Sequence, residues 1–168
     1  LNLPGGDDLL NIVNGTDFTM GGANQALRVS GTSGGVAIET AAFWNNTNVV
    51  IDTVTGGSDG NDTISVTSAT AGGNLNLTIN TGASANDLVA IDGNMSAAGT
   101  ISITTAAVNS LASATLTAGT GVLINNSATS TLDGVVAGTG SLTKQGAGTL
   151  VLGNANTLPF TLSKCTST

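Results

Sequence analysis

Apolar and polar residues alternate along most of this chain, in short runs separated by Gly, Asn and Asp. Ile64 and Val66, like Val89 and Ile91, are each separated by one small residue. A period of two predicts short strands that bury one face, and the glycines between the runs exclude helices of ordinary length. The pattern therefore predicts an all-β chain. The predicted strands are residues 9–13, 27–30, 36–40, 48–54, 63–67, 74–80, 88–92, 100–105, 114–118, 121–125, 135–137, 141–143, 149–152 and 160–163.

The strand-like runs also repeat. Two strand-and-turn units make a repeat of about 25 residues, a period typical of solenoids and arrays. Residues 57–66 overlay residues 82–91, and residues 73–78 overlay residues 99–104. Residues 6–12 echo the first of these segments.

Strands of this length without helical spacers favour a β-solenoid over an α/β fold. We expect residues 1–168 to form a single domain of about seven or eight coils, two- or three-sided, with apolar residues stacked inside. Asn side chains are expected to stack in ladders from coil to coil. Such stacking places Asp62 and Asp87 on adjacent coils.

The ends of the stack lack a recognisable cap. Residues 1–10 and the segment after Pro159 are the only candidates. An uncapped end exposes a strand edge that invites another chain, so we expect self-association through the solenoid ends or a larger parent chain. The chain begins with Leu1 and shows no signal peptide, which indicates a mature form or an excised piece.

Residues 138–157 read GTGSLTKQGAGTLVLGNANT and resemble the passenger-associated repeat of bacterial autotransporters. The positions that match the pattern are Gly138, Gly140, Leu142, Lys144, Gly146, Gly148, Leu150, Leu152, Asn156 and Thr157. The match ends at Leu158, where the pattern has an aromatic residue. The resemblance implies one coil of a right-handed parallel β-helix at the outer cell surface or outside the cell. It implies a structural or adhesive role, as a stalk or in a filament.

Residues 57–65 resemble the repeats-in-toxin nonapeptide, with Ser58 in place of its second glycine. In that family tandem copies bind calcium through turn carbonyls and Asp carboxylates, as a hard cation requires. The resemblance implies Asp59 and Asp62 as calcium ligands. The alternative is that both residues form Asx-turns at solvated corners. No other cofactor is expected.

Charge and composition narrow the function further. The net charge is −7, with only Arg28, Lys144 and Lys164 as cations, which excludes nucleic acid and anionic membrane surfaces as partners. No apolar run is long enough for a transmembrane helix. The chain has no His, the usual partner in acid–base catalysis and triads, so we expect no enzymatic activity. The single Cys165 excludes a disulfide framework.

A second function remains open, a β-helix that binds or cleaves polysaccharide. Trp44 is the candidate stacking platform for a sugar ring of a host or surface glycan, beside a groove lined with Asp. Its simpler interpretation is structural, with one of Phe43 and Trp44 in the core and the other over a loop. Asp62 and Asp87 could form the carboxylate pair of a glycosidase, although stacked turn residues explain them as well.

Overall fold

The computed structural model describes residues 1–3, 5–16, 25–54, 59–70 and 76–158. This part of the chain contains strands joined by turns and no helix, so the all-β prediction is confirmed. The strands are β1 (Asp8–Thr16), β2 (Gln25–Ser33), β3 (Val36–Phe43), β4 (Asn48–Asp52), β5 (Thr63–Val66), β6 (Ala69–Thr70), β7 (Asn76–Asn80), β8 (Leu88–Ile91), β9 (Met95–Ala97), β10 (Thr100–Thr105), β11 (Ala107–Ser110), β12 (Thr115–Ala118), β13 (Gly121–Asn126), β14 (Ser130–Leu132), β15 (Val135–Gly138), β16 (Ser141–Gln145) and β17 (Leu150–Leu152).

From β4 onward the chain winds as a three-sided β-solenoid. Each coil gives one strand to each of three parallel sheets. Sheet I contains β4, β7, β10, β13 and β16; sheet II contains β5, β8, β11, β14 and β17; sheet III contains β6, β9, β12 and β15. Every strand of a coil therefore lies directly on its counterpart in the next coil.

The described part of the solenoid has about four turns, fewer than the seven or eight coils predicted. The sequence pattern indicated two strands in each coil, whereas there are three. The missed strands β6, β9, β11 and β14 each contain at most one large apolar residue, so no alternating run of apolar residues marks them in the sequence. In addition, β1, β2 and β3 are not coil strands of this kind, because β1 pairs antiparallel with β2 and β2 with β3.

The first predicted overlay is the observed register. Ile64 pairs with Val89 and Val66 with Ile91, and the N-terminal echo pairs Leu10 with Ile64. The second overlay is displaced by two residues, because Leu77 pairs with Ile101 rather than Ile103. A two-residue displacement keeps every side chain on the same face, which is why the sequence pattern did not reveal it.

The interior consists of apolar ladders that run along the solenoid axis. In sheet I one ladder contains Ile51, Ile79, Ile103 and Ile124, all with no exposed surface. Burying one such side chain contributes about 1.5–3 kcal/mol. The ladder ends at Lys144, which pairs with Ile124 in the last coil.

The N-terminal strands form an antiparallel meander on the first coil, and we call β1, β2 and β3 the N-terminal meander. β1 pairs in parallel with β5 on one side and antiparallel with β2 on the other, so the meander extends sheet II. Gly31 allows this close approach, because a Cβ there would lie 2.0 Å from the Leu9 carbonyl oxygen. The meander thus extends sheet II beyond β5, with β1 and β3 parallel to β5 and β2 antiparallel to it.

Asn side chains bond from coil to coil, as predicted. Asn76 donates its amide to Asn48 Oδ1 at 2.9 Å, and Asn86 donates to Asn61 Oδ1 at 3.0 Å. These bonds add a polar seam to the backbone ladders outside the core.

Some predictions fall outside the described residues. These are the strand at residues 160–163, Cys165, Gly57 and Ser58 of the nonapeptide, and residues 73–75 of the second overlay.

Candidate functional site

The corner between sheet I and sheet II holds the buried polar groups of the first coils. On its sheet I side, this corner contains Thr53, which follows β4, and Thr81, which follows β7. Neither threonine has exposed surface. The corner ends with Asp62 before β5 and with Asp87 before β8, which are 0% and 1% exposed. Buried polar groups are tolerated only with hydrogen-bond partners, so their partners define the corner.

Asp8, Asp62 and Asp87 form what we call the aspartate ladder. The Asp8 backbone N–H donates to Asp62 Oδ1 at 2.9 Å, and the Asp62 N–H donates to Asp87 Oδ1 at 3.0 Å. The Asp62 and Asp87 carboxylates therefore each fasten the start of one sheet II strand to the start of the strand before it. The ladder stops at the next coil, where the register places Ala106 above Asp87.

Two further residues complete the corner. The Thr53 hydroxyl donates to Asp62 Oδ2 at 2.5 Å, so both oxygens of Asp62 accept hydrogen bonds. Asp59 is exposed and lies over Gly82, whose φ of +85° and lack of a Cβ leave room for the carboxylate. The Ala83 N–H donates to Asp59 Oδ2 at 3.4 Å.

Asp59, Asp62 and Asp87 bring three carboxylate oxygens within 4.8 Å of one another. Calcium binds oxygen at about 2.3–2.6 Å, so oxygens on opposite sides of one ion are about 5 Å apart or less. The donor set and its size therefore fit a hard cation. Asp87 Oδ2 is buried without a hydrogen-bond partner among the described residues, whereas both oxygens of Asp62 are already engaged.

Burial raises the pKa of all three ladder carboxyls. The pKa of Asp87 rises to about 6, mainly through desolvation and also through the charges of Asp59 and Asp62, against the hydrogen bond from the Asp62 N–H. Desolvation likewise raises the pKa of Asp62, against the Thr53 hydrogen bond, and raises the pKa of Asp8. Burial, and after it the neighbouring carboxylates, therefore favours the protonated form of these carboxyls.

The structure brings the predicted residues Asp59 and Asp62 together and adds Asp87, which was not predicted as a ligand. The overlay of residues 57–66 on residues 82–91 carried the necessary signal, since it stacks Asp87 on Asp62. Asp62 and Asp87 do lie on adjacent coils, but both are buried. Neither carboxylate is accessible to the glycosidic bond of a sugar chain.

Trp44 lies apart from this corner. It follows β3 and is 46% exposed, while Phe43 is half-buried and packs against the core. This division matches the structural interpretation of the pair, one residue in the core and the other outside. Asn45 follows with a φ of 53°, and the Asn46 amide donates to the Trp44 carbonyl at 3.1 Å, which closes a turn.

The segment that resembles the autotransporter repeat forms the end of the described solenoid. Residues 138–157 cover the last residue of β15 and all of β16 and β17. Leu142 is buried, and Leu150 and Leu152 pack against the core. Lys144 donates to the backbone carbonyls of Gln145 and Gly146, a structural role at the turn.

No family model, no curated protein and no solved structure matches this chain. In the described ranges, no helix is long and apolar enough to cross a membrane.

Proposed function

We propose that this chain is a structural or adhesive module of an extracellular or outer-surface bacterial protein, built as a right-handed parallel β-helix. The observation that carries the proposal is the coil-on-coil register, which unites apolar ladders inside with aspartate and asparagine ladders at the corners. Parallel crossovers within one sheet are right-handed in about 98% of cases, which supports the handedness.

The outer face of sheet I supports a structural role. One outward row contains Val50, Thr78, Ser102, Leu123 and Thr143, and the next contains Asp52, Asn80, Thr104, Asn125 and Gln145. Apart from Val50, Leu123 and Asp52, these positions carry uncharged polar side chains in register. A face of this kind suits a stalk, whose function is to hold its shape in water.

The resemblance of residues 138–157 is the second support. Its leucines lie on strands that close one coil, which is the position that the family's repeat would occupy. The outer cell surface as the location follows from this resemblance alone.

The two ends of the solenoid differ, and this shapes the self-association that we propose. Among the described residues, sheets I and II end at β16 and β17, which present strand edges. At the other end the meander gives sheet II an antiparallel edge at β3. We place association at the C-terminal edge, where the coil strands β16 and β17 each have an unpaired side among the described residues that can pair with a second chain.

Sedimentation velocity over a range of protein concentrations, with negative-stain images, tests this assembly. The expected result is a concentration-dependent species that is longer along the solenoid axis. Val151→Lys should weaken it, because a lysine on an edge strand disfavours edge-to-edge pairing. Val151 is 45% exposed.

Val50→Lys is the matched control. Val50 is 41% exposed and points outward from β4, which lies at the N-terminal end of sheet I. Val151 lies on β17, at the C-terminal end of sheet II. A chain that stays monomeric at all concentrations, or an assembly that both substitutions weaken equally, contradicts association through the C-terminal edge.

We also propose that calcium binds at Asp59 and Asp62, with Asp87 as a third carboxylate. The support is the 4.8 Å grouping of their oxygens and the unpartnered Asp87 Oδ2. Thermal unfolding with millimolar calcium and with a chelator tests it. Calcium should raise Tm, and Asp59→Asn should abolish the shift; an unchanged Tm rejects the site.

A further inference from the structure

Two adjoining concavities lie on the outer face of sheet II, where the N-terminal meander joins the coils. Their volumes are about 460 and 510 Å³, and both are lined by Leu9 and Thr32. We call them together the Leu9 groove. Its floor is formed by β2, β1 and β5, with the residues Leu9, Asn11, Ser30, Thr32, Thr63 and Ser65.

The strand register arranges these side chains in two rows across the sheet. Leu9 lies between Thr32 on β2 and Thr63 on β5. The second row has Asn11 at its centre, flanked by Ser30 and Ser65. Neighbouring strands are about 4.8 Å apart, so hydrogen-bonding groups recur at short and regular intervals.

The polar groups of the groove can form hydrogen bonds with a ligand. In the described part of the chain, the hydroxyls of Ser30, Thr32, Thr63 and Ser65 have no hydrogen-bond partner. Asn11 Oδ1 accepts a bond of 2.9 Å from the Thr67 hydroxyl, which leaves the Asn11 amide N–H groups free to donate outward. Hydroxyls both donate and accept, so they can bind a ligand that is itself rich in hydroxyls.

The charge and the apolar surface of the groove narrow the chemical class of ligand that it could bind. Leu9 is 58% exposed at the centre of the groove and offers a small apolar area for the C–H face of a sugar ring. Asp7 lines one concavity and Asp92 the other, and no cationic side chain lines either. Anionic sugars are therefore disfavoured.

We propose that the Leu9 groove binds a neutral, hydroxyl-rich glycan chain. This goes beyond the structural role and is a site separate from Trp44, which lines neither concavity. The structural role does not depend on it, and the assembly experiment above is independent of glycan.

Titration calorimetry tests the proposal with three neutral probes, the β-1,4-linked hexasaccharides of glucose, mannose and N-acetylglucosamine. A hexagalacturonate serves as the anionic comparator. At least one neutral probe should bind, and hexagalacturonate should bind more weakly. Leu9→Ala and Ser65→Ala should each weaken the neutral probe, Leu9→Ala by about tenfold.

Val50→Ala is the matched control, because Val50 is also an exposed apolar residue that points outward from a strand. It should leave binding unchanged, and all variants should keep the Tm of the parent chain within a few degrees. The proposal is overturned if no neutral probe binds at 10 mM, if hexagalacturonate binds more tightly, or if Val50→Ala weakens binding as much as Leu9→Ala.

Discussion

The Asp62 backbone N–H donates to Asp87 Oδ1 at 3.0 Å, across 25 residues of sequence and one coil of the solenoid. Both side chains are buried, so the contact links the backbone of one coil to a carboxylate of the next. The chain accepts the cost of burying a carboxylate in return for a fixed register between coils.

Acidification should stabilise this protein rather than denature it. The pKa of Asp87 is raised from 3.8 to about 6, so between these values the folded chain binds more protons than the unfolded chain. Its contribution to stability is therefore greatest below pH 4 and is lost as the pH rises to about 6, by up to about 3 kcal/mol. The raised pKa values of Asp8 and Asp62 act in the same direction. Urea unfolding at pH 4, 5, 6 and 7 in the presence of a chelator measures the slope; a free energy of unfolding that increases from pH 4 to 7 contradicts it.

Asp87→Asn should stabilise the chain at pH 7 and flatten this pH dependence. The amide oxygen can still accept from the Asp62 N–H, and the amide N–H groups can donate to neighbouring carboxylates. Removing a buried charge should add about 1–2 kcal/mol to the free energy of unfolding. Asp133→Asn is the control, because Asp133 is exposed. A loss of stability at pH 7 on Asp87→Asn would show that the corner needs the negative charge.

Thr53→Val should destabilise the protein by about 1–3 kcal/mol at pH 7, because the buried Asp62 carboxylate loses a donor. The cost should shrink as the pH falls, because burial raises the pKa of Asp62 and so favours its protonated form. Thr81→Val provides the comparison from the equivalent place in the next coil, since the Thr81 hydroxyl has only a 3.5 Å contact with the Thr104 carbonyl. Urea unfolding measures the free energy of unfolding of both variants. An equal decrease in the two would mean that the Thr53–Asp62 hydrogen bond adds no stability of its own.

Ile103→Ala should destabilise the solenoid by about 2–5 kcal/mol, because it leaves a cavity inside the ladder. Ile103 pairs with Ile79 on one side and with Ile124 on the other, and it has no exposed surface. Ser102→Ala, one residue away on the outer face, should change the free energy of unfolding by less than about 0.5 kcal/mol. Chemical denaturation measures the free energy of unfolding of both variants. A larger loss for Ser102→Ala than for Ile103→Ala would show that the inner and outer faces are assigned wrongly.

Gly31→Ala should loosen the N-terminal meander. The added Cβ would lie 2.0 Å from the Leu9 carbonyl oxygen, at a φ of +150°. Hydrogen exchange should then rise in β2 and β3 while β10 and β13 stay protected, since these coils do not touch Gly31. Gly35→Ala is milder, because a Cβ there meets nothing within 4 Å although the φ is +78°. Uniform loss of protection along the chain would mean that the meander and the coils unfold as one unit.

The sequence was sufficient to predict a stack of strands, because inward residues such as Ile64 and Val89 repeat on every coil with a visible period of two. The sequence was not sufficient to predict the number of coils. Strands such as β9 and β14 alternate in burial, but each carries only one large apolar residue beside small or polar ones. Local pattern cannot identify such strands.

The candidate site was only partly predictable, for a related reason. Asp62 was predicted as a ligand because residues 57–65 resemble the repeats-in-toxin nonapeptide. Asp87 comes close to Asp62 only through the stacking of adjacent coils. The Leu9 groove had no sequence signal. It arises where Thr32 on the meander meets Leu9 by antiparallel pairing, and the strand pattern does not predict the direction of pairing.

The antiparallel meander also bears on how the molecule forms. Its β2–β3 contacts are local in sequence, whereas every coil contact spans about 20 residues or more, and local contacts close fastest. The other side of β1 pairs with β5, so we expect β1 to act as the template on which the first turn is laid. Each later turn then adds to the turn before it, and growth runs along the solenoid in a single direction from the meander.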